Sequence, residues 1–306
     1  MQIGFCSVIG REMLAVHAVP QEALRFAVHT APVPWEGICV PQTLATNWSL
    51  KDLYSQRDLD RHETKQLATR VGSILHELNV SKARAPSVAS SSGQIVDHME
   101  LTDRILLPQG IRVYRNKGLP ADGTLLRKKG DAFLMSGGGC PAIVLTGGST
   151  CIVAHASRES LLPKRFTEDG RAIDEHVSVV ANCVRKFREL EPDVPFDEAN
   201  FRVIFGITPR QFSHPVHHPD HGANNRGRQR YLIRHYGEVA HSFIRDPDNG
   251  GYLDLNALTV HQARLCGIEN AKTGTVLPAK GKFAYTRHPD PEMAEGRNLV
   301  IVRRLN

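Results

Sequence analysis

The sequence predicts an α+β chain, an α/β sandwich of layered mixed β-sheets with flanking helices. Three observations point there. Short apolar runs bounded by glycine and proline recur along the chain, as sheet strands do. Two segments, 57–79 and 173–190, change to the three- and four-residue spacing of amphipathic helices. Residues 131–158 combine β-prone runs with two glycine-rich turns in the manner of a tight hairpin.

Taken in order, residues 1–56 mix apolar runs (Ile3–Ile9, Leu14–Val19, Leu24–Val28) with prolines at 20, 32, 34 and 41, a pattern of strands and loops. Leu67, Val71, Ile74 and Leu78 then form a helical stripe within 57–79, with His62 and His76 turned to solvent. From Lys82 to Gly93 the chain is small and polar, as a linker or surface loop would be. The chain therefore divides into an N-terminal extension or subdomain, 1–93, and a second domain, 94–306. Arg104–Leu107 and Ile111–Tyr114 alternate around Pro108-Gln109-Gly110, and Gly118–Lys129 is turn-rich and basic.

Ala132–Met135 is an apolar run that stops at Ser136-Gly137-Gly138-Gly139, and Cys140 follows at once. Ala142–Leu145 and Cys151–Ala154 are joined by Thr146-Gly147-Gly148-Ser149, a hairpin signal. The hairpin sets Cys140, before its first strand, beside His155, after its second. A thiol beside an imidazole serves either as a nucleophile with its base or as a pair of zinc ligands. The bland alternative is a core cysteine and a surface histidine.

Ile173, Val177, Val180, Val184, Phe187 and Leu190 form the clearest helical stripe, which Pro192 ends. Phe201–Phe205 is a strand running into Gly206-Ile207-Thr208-Pro209. His214, His217, His218 and His221 follow, broken by Pro215 and Pro219, so any metal site there comes from a loop. Tyr231–Ile244 reads as helical and Asp254–Gly267 as a short helix with an N-cap and a glycine stop. Phe283–Arg287 and Leu299–Val302 read as the last hairpin.

Composition narrows the function classes. No run is long enough to span a bilayer, and Arg11 and Glu12 break the N-terminal apolar residues before a signal-peptide core forms, so a cytoplasmic protein without a membrane partner is expected. Six cysteines (6, 39, 140, 151, 183, 266) show no CxxC spacing, which argues against a zinc ribbon or a disulfide framework. The net charge of +6 is spread out, apart from Arg226-Gly227-Arg228-Gln229-Arg230 and Arg303-Arg304, so nucleic acid is not the expected partner.

The order of these motifs resembles the bacterial laccase-domain family, often labelled multicopper polyphenol oxidase and associated with zinc-dependent purine nucleoside chemistry. Cys140 matches its cysteine, His155-Ala156 with Arg158 its His-Ala-Gly-Trp-Arg motif, Gly206-Ile207-Thr208-Pro209-Arg210 its Gly-Pro-x-Ile-Gly-Pro segment, and Tyr285-Thr286-Arg287 with Gly296-Arg297 its closing strand and turn. The resemblance covers about residues 104–306. It implies an enzyme that uses a purine nucleoside and phosphate, by phosphorolysis or deamination. Cys140, His155 and Arg158 are then catalytic; Gln109, Gly138, Gly139, Tyr285 and Arg287 bind substrate, with Arg158 and Arg287 placed for phosphate. Cys140 and His155 hold zinc. Gln109 stands where the family has an upstream histidine ligand, so the third ligand would be His98 or His217. Gly139 replaces the family's aspartate, and its tryptophan and late cysteine are missing.

The Ser136–Cys140 turn with His155 is also similar to cytotoxic necrotizing factor toxins and chemoreceptor glutamine deamidases. That likeness implies a metal-free site in which Cys140 attacks a protein glutamine side chain, His155 is the base and the amides at Gly139 and Cys140 hold the oxyanion. A third reading is a catalytically decayed interaction module, with residues 1–100 contacting the partner.

Overall fold

The computed structural model describes residues 18–31, 33–42, 48, 50, 62–86, 93–96, 103–115, 121–207, 222–245, 252–277 and 297–306. The first elements in chain order are β1 (Leu24–Val28), β2 (Trp35–Val40), α1 (His62–Glu77), β3 (Lys82–Arg84), β4 (Ile95–Val96), β5 (Asp103–Leu106), β6 (Arg112–Arg115) and β7 (Gly123–Leu125). Then come β8 (Asp131–Gly137), β9 (Ala142–Gly147), β10 (Thr150–His155), α2 (Arg158–Leu161), α3 (Val179–Leu190) and β11 (Asn200–Ile204). The last are α4 (Gly222–Tyr236), β12 (Ile244–Arg245), β13 (Tyr252–Leu253), α5 (Leu255–Leu265), β14 (Lys272–Thr273) and β15 (Asn298–Arg304).

Two mixed sheets carry the fold, in the orders β1-β2-β15-β8-β3-β6-β5 and β14-β11-β9-β10-β7-β4. Period-two alternation buries the first sheet on both faces. Ile38, Val40, Ala132, Leu134, Leu299 and Ile301 pack with the Leu67, Val71 and Ile74 stripe of α1. Their neighbours Trp35, Cys39, Phe133, Met135, Val300 and Val302 belong to the other core, with β9, β10, α3 and α5. The layers are helix, sheet, sheet, helix, the α+β arrangement expected. Burying such strands on both faces is worth roughly 1.5–3 kcal/mol for each large aliphatic side chain.

Several elements differ from the sequence pattern for identifiable reasons. The helix expected over 173–190 begins at Val179, because the Ser178 side chain caps it by accepting from the Ala181 amide. Ile173 and Val177, the first two members of the stripe, are exposed. The polar stretch 82–93 opens with β3, which pairs in parallel with both β6 and β8. Its Ala83 and Arg84 are buried, and strand length three leaves no periodicity to read. The helix expected over Tyr231–Ile244 starts earlier, at Gly222, and passes at Gly237 (φ +59°) into a 3-10 turn, Gly237–Ser242. Leu299–Val302 lies within β15, between β2 and β8, while the expected partner Phe283–Arg287 is outside the described residues. The division expected at residue 93 falls between β3 and β4, and strands from both sides of it share the first sheet. No helix among the described residues is long and apolar enough to cross a membrane.

Candidate active site

The hairpin that carries the site is built as the sequence predicts. β9 and β10 pair antiparallel from Gly147–Thr150 to Ala142–His155. Gly148 takes φ +55° in the turn, and Glu191, just past α3, clamps it by accepting from the Ser149 amide and hydroxyl and the Thr150 hydroxyl at 2.8 Å. One step beyond the last pair, the Ala156 amide donates to the Pro141 carbonyl at 2.9 Å. Cys140 therefore lies beside His155 and is one of its hydrogen-bond partners.

The glycines before Cys140 have a local cause. Gly139 sits at φ +102°, and its carbonyl accepts from the Ile207 amide at 3.1 Å. A Cβ there would lie 2.9 Å from Ile207 Cδ1, so neither its backbone angle nor its space admits a side chain. The aspartate that the laccase-domain family has at this place would be strained here. Gly138 and Cys140 are half-buried beside it, and Cys140 packs against the main core.

The second partner of His155 is one the sequence analysis did not select. Asp122 precedes β7, which pairs with β10 so that Gly123 faces Ala154. Its carbonyl accepts from the His155 amide at 2.7 Å and its Oδ1 lies 3.4 Å from His155 Nδ1. Oδ2 accepts from the Gly93 amide at 2.5 Å, and the residue is fully buried. Burial by itself would lower the His155 pKa, but the hydrogen bonds to Asp122 and Cys140 outweigh it and push it up to about 10. Both partners favour the protonated ring over the neutral one. Asp122 is the lone acid in the basic stretch 118–129, which is the one sequence signal that marks it.

Arg158 follows the cap residue Ser157 at the start of α2, with Nη2 3.2 Å from Glu159 Oε1, and so remains near His155. Gln109 does not join them. It sits in the β5–β6 turn, where its Nε2 donates to the Thr69 carbonyl and the Ser73 hydroxyl of α1, both at 3.0 Å. Arg112, which follows that turn, is level with Lys82, and Lys82 with Asp131. Gln109 is thus at the start of β8, whereas Cys140 lies past its end, about 20 Å further along an extended strand. The expectation that Gln109 lines the site is corrected: α1 holds it at the other end of the sheet. His98, His217, Tyr285 and Arg287 lie outside the described residues.

The donor set tests zinc directly. Cys140 and His155 are adjacent, and Asp122 on Nδ1 orients the ring as a carboxylate does behind a metal-bound histidine. A structural or catalytic zinc needs at least three protein donors. Among the described residues no group of three or more histidine, cysteine, aspartate or glutamate side chains is placed to hold a metal ion. The described residues therefore fall one donor short of the family's zinc site.

No protein-family model and no curated protein matches the sequence. The fold does have relatives among solved structures, and its class is the YfiH/DUF152 fold, the one that the laccase-domain resemblance implies. The chain is similar to the hypothetical protein YfiH of Bacillus licheniformis, at TM-score 0.56 and 13% identity over 90% of this chain and 98% of that one. It is similar to the Neisseria meningitidis protein NMB0706, of family DUF152, at TM-score 0.52 and 13% identity over 93% and 99%. YlmD from Geobacillus stearothermophilus gives TM-score 0.57 and 12% identity over 89% and 92%. At this identity the likeness is one of fold. None of the three carries the likeness to cytotoxic necrotizing factor toxins.

Proposed function

We propose that the chain is a laccase-domain-like enzyme that acts on purine nucleosides at Cys140, His155 and Asp122. The observation that carries this reading is a buried imidazole held between a carboxylate and a thiol, at the place where the laccase-domain resemblance puts its cysteine and histidine. In phosphorolysis the ribose C1′–N9 bond breaks with its electron pair going to the purine, and a phosphate oxygen bonds to C1′. The departing base needs a proton. His155, whose protonated form Asp122 favours, is the general acid that supplies it, and Asp122 keeps its ring in place. Arg158 is the nearby cation for the phosphate. Zinc enters this proposal only if His98 or His217 adds the third donor to Cys140 and His155, and no step above depends on it.

The test is base release from inosine and adenosine with and without inorganic phosphate, with metal content measured on the same preparation. Phosphate-dependent release that disappears in Cys140→Ala and His155→Ala is expected. Undiminished turnover by Cys140→Ala would overturn the reading.

One observation favours a second reading, a metal-free Cys–His amidohydrolase. Asp122, His155 and Cys140 already make up an orienter, an acid–base group and a nucleophile, without any third metal donor. The Cys140 thiol would pass its proton to His155 as its sulfur bonds to the carboxamide carbon of a protein glutamine, and the C–N bond would break as the leaving nitrogen takes that proton from His155 and departs as ammonia. Water would then hydrolyse the thioester, giving its proton back to His155. Ammonia release from a glutamine peptide in the absence of phosphate, blocked by alkylation of Cys140, distinguishes this from phosphorolysis.

A further inference from the structure

The arginine-rich helix α4 is docked on the segment that follows α2. Asn224 accepts from the Phe166 amide at 2.8 Å and donates to the Lys164 carbonyl at 3.2 Å. Gly227 lies so close that a Cβ would stand 2.2 Å from the Thr167 carbonyl oxygen. Along this helix most arginines face an acceptor. Arg226 lies 3.3 Å from Glu168 Oε1, Arg230 donates to the Glu168 carbonyl at 2.7 Å, and Arg234 to the Asp169 carbonyl at 2.9 Å.

Arg228 differs from them. It is only 4% exposed, its Nη1 donates to the neutral Asn225 Oδ1 at 2.7 Å, and its Nε has no partner. Its guanidinium lies 5.6 Å from the centroid of the Phe166 ring. Among the described residues the charges acting on it are Arg158 and, less strongly, Glu159, whose carboxylate is already paired with Arg158. Among the described residues, Arg228 is thus buried without an acid of its own. A buried cation without a counter-ion is costly, and the paired donors of arginine match the oxygens of a phosphate.

We propose that Arg228 and Arg158 form an anion subsite at the His155 end of β10 that takes inorganic phosphate or the phosphoryl group of a phosphate ester. The inference deepens the phosphorolysis reading by adding a residue that holds the co-substrate, but it stands on the surroundings of Arg228 rather than on Cys140. Burial, and then Arg158, push the Arg228 pKa down to about 9 against the opposing pull of Glu159, a tension that a bound dianion relieves.

Thermal denaturation of the full chain, with inorganic phosphate or ribose 1-phosphate titrated at constant ionic strength, tests this. The wild type is expected to gain several degrees in a saturable way. Arg228→Met, freed of the buried charge, should be at least as stable as the wild type without phosphate and show no phosphate response. Arg158→Gln, at the more exposed partner, should weaken apparent phosphate affinity about tenfold or more, so the test survives if Arg228→Met fails to fold. Cys140→Ala should respond as the wild type does, which separates failure of this inference from failure of the Cys140 reading. A stronger response to ribose 1-phosphate assigns the subsite to an ester, and a stronger response to phosphate assigns it to the free anion. No saturable response in the wild type, or an equal response in Arg228→Met, would overturn it.

Discussion

The two ends of β8 carry the same kind of charge in opposite service. At its start, Asp131 is buried with Arg84 Nη1 3.0 Å from its Oδ2, and the same oxygen accepts from the Arg127 and Lys128 amides at 3.0 Å. Gln109 is tied to α1 at this end. Past the other end, Asp122 faces an imidazole that also meets a half-buried thiol. A carboxylate answered by a guanidinium and turn amides holds the chain together. One answered by a titratable ring beside a sulfur is an arrangement in which a proton can change hands. Both carboxylates are buried, so burial does not distinguish them; their partners do.

Variants at the two ends should separate in what they lose. Cys140→Ala is expected to lower kcat/KM for nucleoside turnover by about 10³-fold or more, while the unfolding midpoint hardly moves. His155→Ala should lose turnover as fully and also lose stability, because it leaves the buried Asp122 without its ring. At the other end the pattern reverses. Asp131→Ala leaves Arg84 uncompensated in the core, which should cost about 3–5 kcal/mol in urea denaturation and leave turnover per folded molecule intact.

Asp122→Asn sharpens the comparison, since it keeps the shape and removes the charge. It should lower kcat about 10–100-fold and move the alkaline limb of the pH–rate profile to lower pH, a shift that a purely structural role would not produce. Stability should show the same link in the metal-free protein. The His155 pKa is raised from 6.5 to about 10, so its contribution is fully present below about pH 6.5 and is lost as pH rises through about 10. Urea midpoints at pH 6.5 and pH 10 should therefore differ by more in the wild type than in Asp122→Asn. The smallest effect belongs to Gln109→Ala, which loses two hydrogen bonds to α1: about 1 kcal/mol or less of stability and no change in turnover. A large loss of activity in that variant would break the separation of the two ends.

Much of this arrangement is legible in the residues themselves. The stripe of α1, the Gly147-Gly148 turn and the pairing of Cys140 with His155 all follow from neighbours in sequence, because a hairpin and a helix are set by local spacing. The Ser178 cap shows the limit of periodicity, since the apolar stripe continues upstream of the helix that it marks. Gln109 is misleading for another reason. Position in a motif order says nothing about the end of the sheet at which a turn emerges.

The sequence by itself determined the α+β class, the hairpin and the thiol–imidazole pair. Only the tertiary structure decided that Asp122 lies against that pair, that Gln109 is held apart from it, and that Arg228 is buried without an acid among the described residues. Asp122 and His155 are joined by strand pairing across 33 residues, and Arg228 is buried where one helix docks on another segment. Such contacts follow from which strands and helices become neighbours, and no local spacing encodes that choice.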